Sequence, residues 1–263
     1  MKEAYPESYK NHKVFEEIEY MIEIYGNISF ACFPFVPLGT SSIMDYVTYT
    51  YTAIQGALES IKTLLEIGRI SDAYTLARKY FDDVLVDLYI DVIRKDRYDF
   101  VSFEYVDDVE KWLKSKHRIP SIKKILQTLK NSESTKDLYP YFGWNTYFHH
   151  NRIILDDCVH SNRYSLMILN CGDVYLHNRE KHLQNILIIL KSIITMHLAF
   201  IFYMNPQYLM SSDYIDYLDE GATPPEGSDR WIAPYAQEAF DRYIKSNEKL
   251  ATFIKDNCSL SIE

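Results

Sequence analysis

Glycine and proline are scarce in this chain, with 8 and 9 residues among 263. Few positions therefore break a helix, and the long uninterrupted segments that result favour an all-α fold. The cysteines, Cys32, Cys158, Cys171 and Cys258, form no CxxC pair and no zinc-ribbon spacing. They read as reduced thiols rather than a disulfide frame or a structural zinc site. A glycine-rich phosphate loop, a GxSxG elbow and an HExxH helix are all missing. Their absence removes P-loop hydrolysis, α/β-hydrolase chemistry and zincin-type proteolysis from the candidate classes. There is no internal repeat and no low-complexity tract. The opening Met1-Lys-Glu-Ala-Tyr-Pro lacks the apolar core of a signal peptide, so the expected location is the cytoplasm.

What is present is globular in character: 47% hydrophobic and 25% charged residues, too apolar for wholesale disorder. The oddity is 23 tyrosines, which bury a ring while keeping a polar tip and so suit helix interfaces or a wet groove. A net charge of −9 argues against coating nucleic acid through bulk charge but allows a local basic surface. The segment from Ile186 to Met204 approaches the roughly 20 apolar residues that span a bilayer. Lys191, Ser192, Thr195 and His197 interrupt it, and a helix buried inside a bundle has the same pattern. A core helix is expected there, and no membrane partner.

Residues 1–40 are expected to form an N-terminal extension, with a short amphipathic helix at Val14, Phe15, Ile18, Met21 and Ile22. After Gly26-Asn27, Pro34 and Pro37 predict an extended piece that lies over the core or contacts another copy. Residues 41–263 are expected to form one helical domain. Ile43, Val47, Thr50, Ile54, Leu58, Ile61 and Leu65 make a stripe closed by Gly68. Ser71-Asp72 can cap a second stripe of Ala77, Tyr80, Phe81, Val84, Leu85 and Leu88. The short connection makes these two helices, near 42–67 and 72–94, antiparallel neighbours. A connector from Tyr98 to Val109 has some strand character. A long helix follows near 180–204, then a short one ending at Gly221, a surface loop, and a last amphipathic helix bent near Ser246-Asn247.

Lys111, Lys114, Lys116, Arg118, Lys123, Lys124 and Lys130 occur with no acidic residue between Lys111 and Lys130. In an acidic chain this can be a surface for RNA phosphates. It can equally be a solvated helix face balancing Asp107, Asp108 and Glu110.

The richest stretch runs from Trp144 to Asn162. Trp144, Tyr147 or Phe148, Leu155, and Cys158 with Val159 have the spacing of a buried helical stripe. Its other flank carries His149, Arg152, Asp156 and His160, with Asn162 just beyond. Arg152, Asp156 and His160 step by four, a ladder that drifts about 40° per step. Imidazole, carboxylate and guanidinium on one flank can move protons and hold a phosphate. Structural readings stay open: an i,i+4 ion pair of Arg152 with Asp156, and a helix-end histidine closed by Ser161 or Asn162. A metal held by His149, Asp156 and His160 would need a further ligand from elsewhere, and no metal or cofactor is assigned.

Leu76-Ala-Arg-Lys-Tyr-Phe-Asp-Asp-Val-Leu-Val-Asp-Leu-Tyr89 on the second long helix, together with Tyr147 to Asn162, resembles the HEPN-like helical domains of bacterial abortive-infection and toxin proteins. The likeness covers about residues 41–205, leaving 206–263 as a C-terminal helical addition. It implies a HEPN-like bundle and a metal-independent endoribonuclease centre, usually completed across a homodimer. On that likeness Arg152 would stabilise the phosphate and His160 would exchange protons with the ribose 2′-OH. Asp156, His149 and Asn162 are the accompanying candidates. Lys111, Lys114, Lys116, Arg118, Lys123 and Lys124 would hold RNA. Seven residues separate Arg152 from His160, more than the family spacing, and Ile153 stands where the family has a polar residue. A homodimer and a neutralising protein are the expected protein partners. The competing class is a non-catalytic interaction protein built from the same helices.

Overall fold

The computed structural model describes residues 5–32, 46–97, 107–171 and 178–263. The described part is all helical, with no β-strand and only an isolated antiparallel bridge between Met210 and Ile232. In chain order the helices are α1 (Glu7–Lys10), α2 (Val14–Cys32), α3 (Tyr46–Glu66), α4 (Ile70–Arg97), α5 (Asp107–Leu113) and α6 (Ile122–Asn131). They continue with α7 (Tyr147–Val159), α8 (Tyr164–Met167), α9 (Arg179–Met204), α10 (Asp213–Asp219), α11 (Pro234–Tyr243) and α12 (Glu248–Asn257).

The stripes read from the sequence form the core. Val47, Ile54, Leu58, Ile61 and Leu65 of α3 are buried, as are Ala77, Tyr80, Phe81, Val84, Leu85 and Leu88 of α4. Gly68 (φ 76°) turns the chain between these helices, and the Arg69 N–H reaches back to the Leu64 carbonyl at 2.8 Å. The start of α4 differs from expectation. Helix begins at Ile70, so Ser71 and Asp72 lie in its first turn, where Asp72 pairs with Arg69 at 2.6 Å.

The N-terminal region also departs from the sequence reading. α2 runs unbroken through Gly26-Asn27 to Cys32 and places Ile18, Met21, Ile24, Tyr25 and Ile28 in the core. Gly26 is a packing glycine here: a Cβ on it would meet Gln55 of α3 at 3.2 Å. Close helix contact thus overrides a glycine whose helix penalty is only about 1 kcal/mol. Phe30 is exposed, whereas Phe33 to Val36 and Ser41 to Ile43 lie outside the described residues. So does most of the Tyr98–Val109 connector, of which 107–109 are helical.

α9 is long and apolar enough to cross a membrane by length and composition, and most of it is buried inside the bundle. The C-terminal helices close over it and are broken at Ser246-Asn247, where the Asn247 side chain accepts the Leu250 N–H at 3.3 Å. A buried carboxylate fastens them. Glu17 of α2 takes Lys191 of α9 at 2.7 Å and the Arg242 Nε of α11 at 2.5 Å. The Arg242 guanidinium also lies over the Tyr20 ring at 4.2 Å.

Near the N-terminus, buried Arg179 donates to the carbonyls of Gly68 at 3.4 Å and Leu169 at 3.0 Å and faces the Tyr5 ring at 4.9 Å. Tyr9 Oη donates to the Leu65 carbonyl at 2.6 Å. A Cβ at Gly68 would collide with Tyr5 Oη and come within 2.8 Å of Arg179 Nη1, on a left-handed backbone. Gly68→Ala should therefore lower stability by about 2 kcal/mol or more. Gly56→Ala, inside α3 with nothing within 4 Å of its Cβ, should raise it by up to about 1 kcal/mol. Paired thermal melts check both.

The same corner carries a pH dependence. Burial pulls His182 and His12 below their ordinary 6.5, while the unfolded chain keeps the ordinary value. As pH falls through about 6.5 the unfolded state takes up these protons first, so stability declines until the folded histidines protonate too. His182 faces Tyr74 Oη at 3.3 Å, and His12 Nδ1 accepts the Val14 N–H at 3.1 Å. The melting temperature should fall between pH 7 and 5 at neutral-range salt, and His182→Gln should flatten that slope.

Candidate functional site

α7 packs antiparallel along the first half of α4. Its buried stripe is Trp144, Phe148, Leu155 and Cys158, and Phe148 stacks on Phe81 of α4 at 5.6 Å. Tyr147 and Val159, offered as members of that stripe, are exposed instead. Burial pushes the Cys158 thiol up to about 12, which leaves it protonated and unreactive.

The flank next to that stripe holds an interhelical ion cluster. Arg152 Nη1 lies 3.3 Å from Asp82 Oδ1, and Arg152 Nε lies 3.6 Å from Asp156 Oδ2. Arg78 Nε donates to Asp156 Oδ1 at 2.6 Å, and Arg78 Nη1 pairs with Asp82. Arg78 and Asp82 come from α4, Arg152 and Asp156 from α7. The pairs join 78 to 156 and 82 to 152, as antiparallel helices require. Two guanidiniums and two carboxylates balance, so the square is electrically neutral. Its members are half-buried or less exposed, with the Arg78 side chain only 11% accessible. Such an arrangement clamps two helices in register and holds little field in reserve for a substrate phosphate.

The remaining candidates stand apart from this square. His149 and His160 are exposed at opposite ends of α7. His160 is the residue after the helix, its N–H bonded to the Asp156 carbonyl at 3.0 Å. Eight residues of helix put its backbone about 12 Å along the axis from Arg152, whose guanidinium is turned to Asp82 and Asp156 instead. Asp156 orients the guanidiniums of Arg78 and Arg152. Ser161 (φ 51°) then turns the chain, and Asn162 binds back to Asp157 through its N–H at 3.0 Å and its Nδ2 at 3.2 Å. Asn162 is a turn residue. Among the described residues no group of three or more His, Cys, Asp or Glu side chains is placed to hold a metal ion.

The basic segment has a different character. Lys111, Lys114, Lys116, Arg118, Lys123, Lys124 and Lys130 are all exposed. Lys116, Arg118, Lys123 and Lys124 make no ion pair with the described residues. α6 turns Ile125 and Leu129 into the core and its lysines outward. Tyr89 and Ile93 of α4 line a pocket with Trp112, His117 and Arg118. Tyr89 and Ile93 lie eleven residues beyond Arg78 and Asp82, three turns plus about 20°. One face of α4 therefore carries α7 and, about 16 Å further on, the basic segment.

Two residue sets escaped sequence reasoning. Arg78 and Asp82 are an ordinary i,i+4 pair that gains meaning only when α7 lies against it. The other set is a fully buried chain in which Tyr80 Oη, Tyr25 Oη, His197 and Asp87 follow at 2.9 Å steps. Its triad-like chemistry is sealed from solvent, so it serves packing. No protein-family model, curated protein or solved structure matches this chain.

Arg78→Ala would leave Asp82 and Asp156 sharing the single guanidinium of Arg152 and should cost about 2 kcal/mol, discounted for their partial exposure. Arg152→Lys keeps a charge near Asp82 and should cost less than about 1 kcal/mol. A chemical denaturation series with the double variant should show that the two effects are not additive.

Proposed function

We propose that this protein is an RNA-targeting helical protein of HEPN-like build that grips its RNA through α5 and α6. The observation that carries the reading is the set of exposed cations at Lys116, Arg118, Lys123 and Lys124 without counter-ions among the described residues. Other cations are matched, as in the square around Arg152 and at Glu17, or, like Lys181 and Lys249, stand singly, whereas these four fall together between positions 116 and 124. An unmatched cluster on a chain of charge −9 concentrates its field on one edge, where a polyanion gains by releasing counter-ions. In this reading the protein works in the cytoplasm, as a homodimer and without a membrane, as an effector of abortive-infection or toxin type restrained by a neutralising partner.

Metal-independent endoribonuclease activity would be a property of the homodimer, as the HEPN likeness implies. His160, exposed at the end of α7, would be the proton-transfer group and Arg152 the phosphate ligand. One observation favours the non-catalytic alternative: Arg152 and Asp156 are already neutralised by Arg78 and Asp82.

RNA binding over a salt series tests the central claim. The wild type should bind with a steep log–log slope, and a Lys116→Gln/Lys123→Gln/Lys124→Gln variant should flatten it by about 0.7 per lost phosphate contact. Salt-independent or absent binding would end the RNA reading. Incubation with EDTA and with His160→Ala sorts the finer question. Cleavage that survives EDTA and disappears in the variant indicates the nuclease, whereas intact RNA throughout leaves the interaction protein.

A further inference from the structure

We infer that the pocket between the second half of α4 and the α5–α6 turn receives an unpaired nucleobase, making single-stranded RNA the ligand. The inference rests on the RNA-targeting reading and adds to it a place for the base. The pocket measures about 310 Å³, at the small end of ligand sites and too narrow for a duplex. Tyr89 and Trp112 supply aromatic walls, and Ile93 and Val109 close its apolar floor. His117 and Arg118 stand at its exposed rim.

The turn after α5 builds that rim. Ser115 takes a left-handed backbone (φ 55°), and the Lys116 N–H reaches back to the Lys111 carbonyl at 2.7 Å. The chain thus folds back over α5 and brings His117 and Arg118 to the mouth. Pro120 joins the lining, and α6 follows at once with Lys123 and Lys124 exposed in its first turn. An aromatic-walled pocket flanked by unmatched cations is the arrangement that stacks a base while holding the neighbouring phosphates. A paired base is already stacked and must be extruded at a cost of a few kcal/mol, so a free strand binds in preference.

Two other pockets among the described residues lack this combination. The one lined by Glu17, Lys191 and Arg242 spends its cations on a buried carboxylate. The one lined by Asp96, Lys124 and Thr128 has no aromatic wall. An acidic peptide would satisfy the cations but gives no role to the aromatic walls.

The test compares three probes on the full chain at one salt concentration: a short oligouridylate, an abasic strand with equally many phosphates, and a duplex. The oligouridylate should bind about tenfold tighter than the abasic strand and the duplex. Trp112→Ala should erase that difference and Trp112→Phe retain it. Tryptophan quenching on oligouridylate binding should vanish in Trp112→Phe, although Trp144 and Trp231 remain. Equal binding of the abasic and base-bearing strands would overturn the base pocket and leave the RNA reading standing, as would preference for the duplex. If no nucleic acid binds, both fall together, and binding of only an acidic peptide has the same consequence.

Discussion

The bundle is organised around one buried hydrogen-bonded chain. Asp87 on α4 and His197 on α9 are fully buried, and so are Tyr25 on α2 and Tyr80 on α4. A carboxylate this deep is costly unless it is partnered. A consistent proton arrangement has Tyr80 donating to Tyr25 Oη, Tyr25 donating to His197 Nδ1, and His197 Nε2–H donating to Asp87. One imidazole then uses both nitrogens, at 2.9 Å each. Because every partner sits on a different turn of its helix, a shift of α2, α4 or α9 by one residue would strand a buried polar group. The chain therefore selects a register that apolar packing alone would leave loose. Burial also raises the phenol pKa values of Tyr25 and Tyr80 far above the ordinary range, so these groups remain donors across the physiological range.

Fixing α4 fixes the candidate surfaces, because α4 is the rail to which they attach. Its first half meets α7 through the neutral square and the Phe81–Phe148 stack, and its second half supports the basic segment. The charges divide by task. Those between α4 and α7 are paired to neutrality and hold geometry. Lys116, Arg118, Lys123 and Lys124 on the α5–α6 edge have no counter-ion among the described residues. This division weakens the single-chain catalytic reading of Arg152 more than any distance does. A guanidinium already shared between two carboxylates must lose at least one of them before it can stabilise a phosphorane.

Periodicity made the helices legible. α3, α4 and α9 follow stripes whose apolar members are deeply buried, and Gly68 and Asn247 mark boundaries by known turn and cap chemistry. The errors have local causes. Gly26-Asn27 looked like a break because a glycine's local preference is visible in sequence while its neighbour Gln55 is not. Ser71-Asp72 looked like a cap because the turn at Gly68 starts the helix earlier than side-chain capping would. In the candidate site, the polar flank of α7 and the exposed lysines could be read from spacing. The square could not. Which face of α4 would meet α7 is a tertiary fact, and without it Arg78 and Asp82 are indistinguishable from any solvated pair.

His197 shows the same limit from the other side. In sequence it only interrupts an apolar run, and its meaning depends on residues 110 and 172 positions away. The tyrosine excess resolves in a similar way. Tyr5, Tyr9, Tyr25, Tyr74 and Tyr235 each place a ring in the core or against it and spend the hydroxyl on a carbonyl, an imidazole or both. Many tyrosines let long helices cross with few glycines, since each ring fills the gap while its hydroxyl satisfies a backbone or side-chain group from the neighbouring element. Tyr89, packed against the core on α4, also lines the pocket beside Trp112, His117 and Arg118.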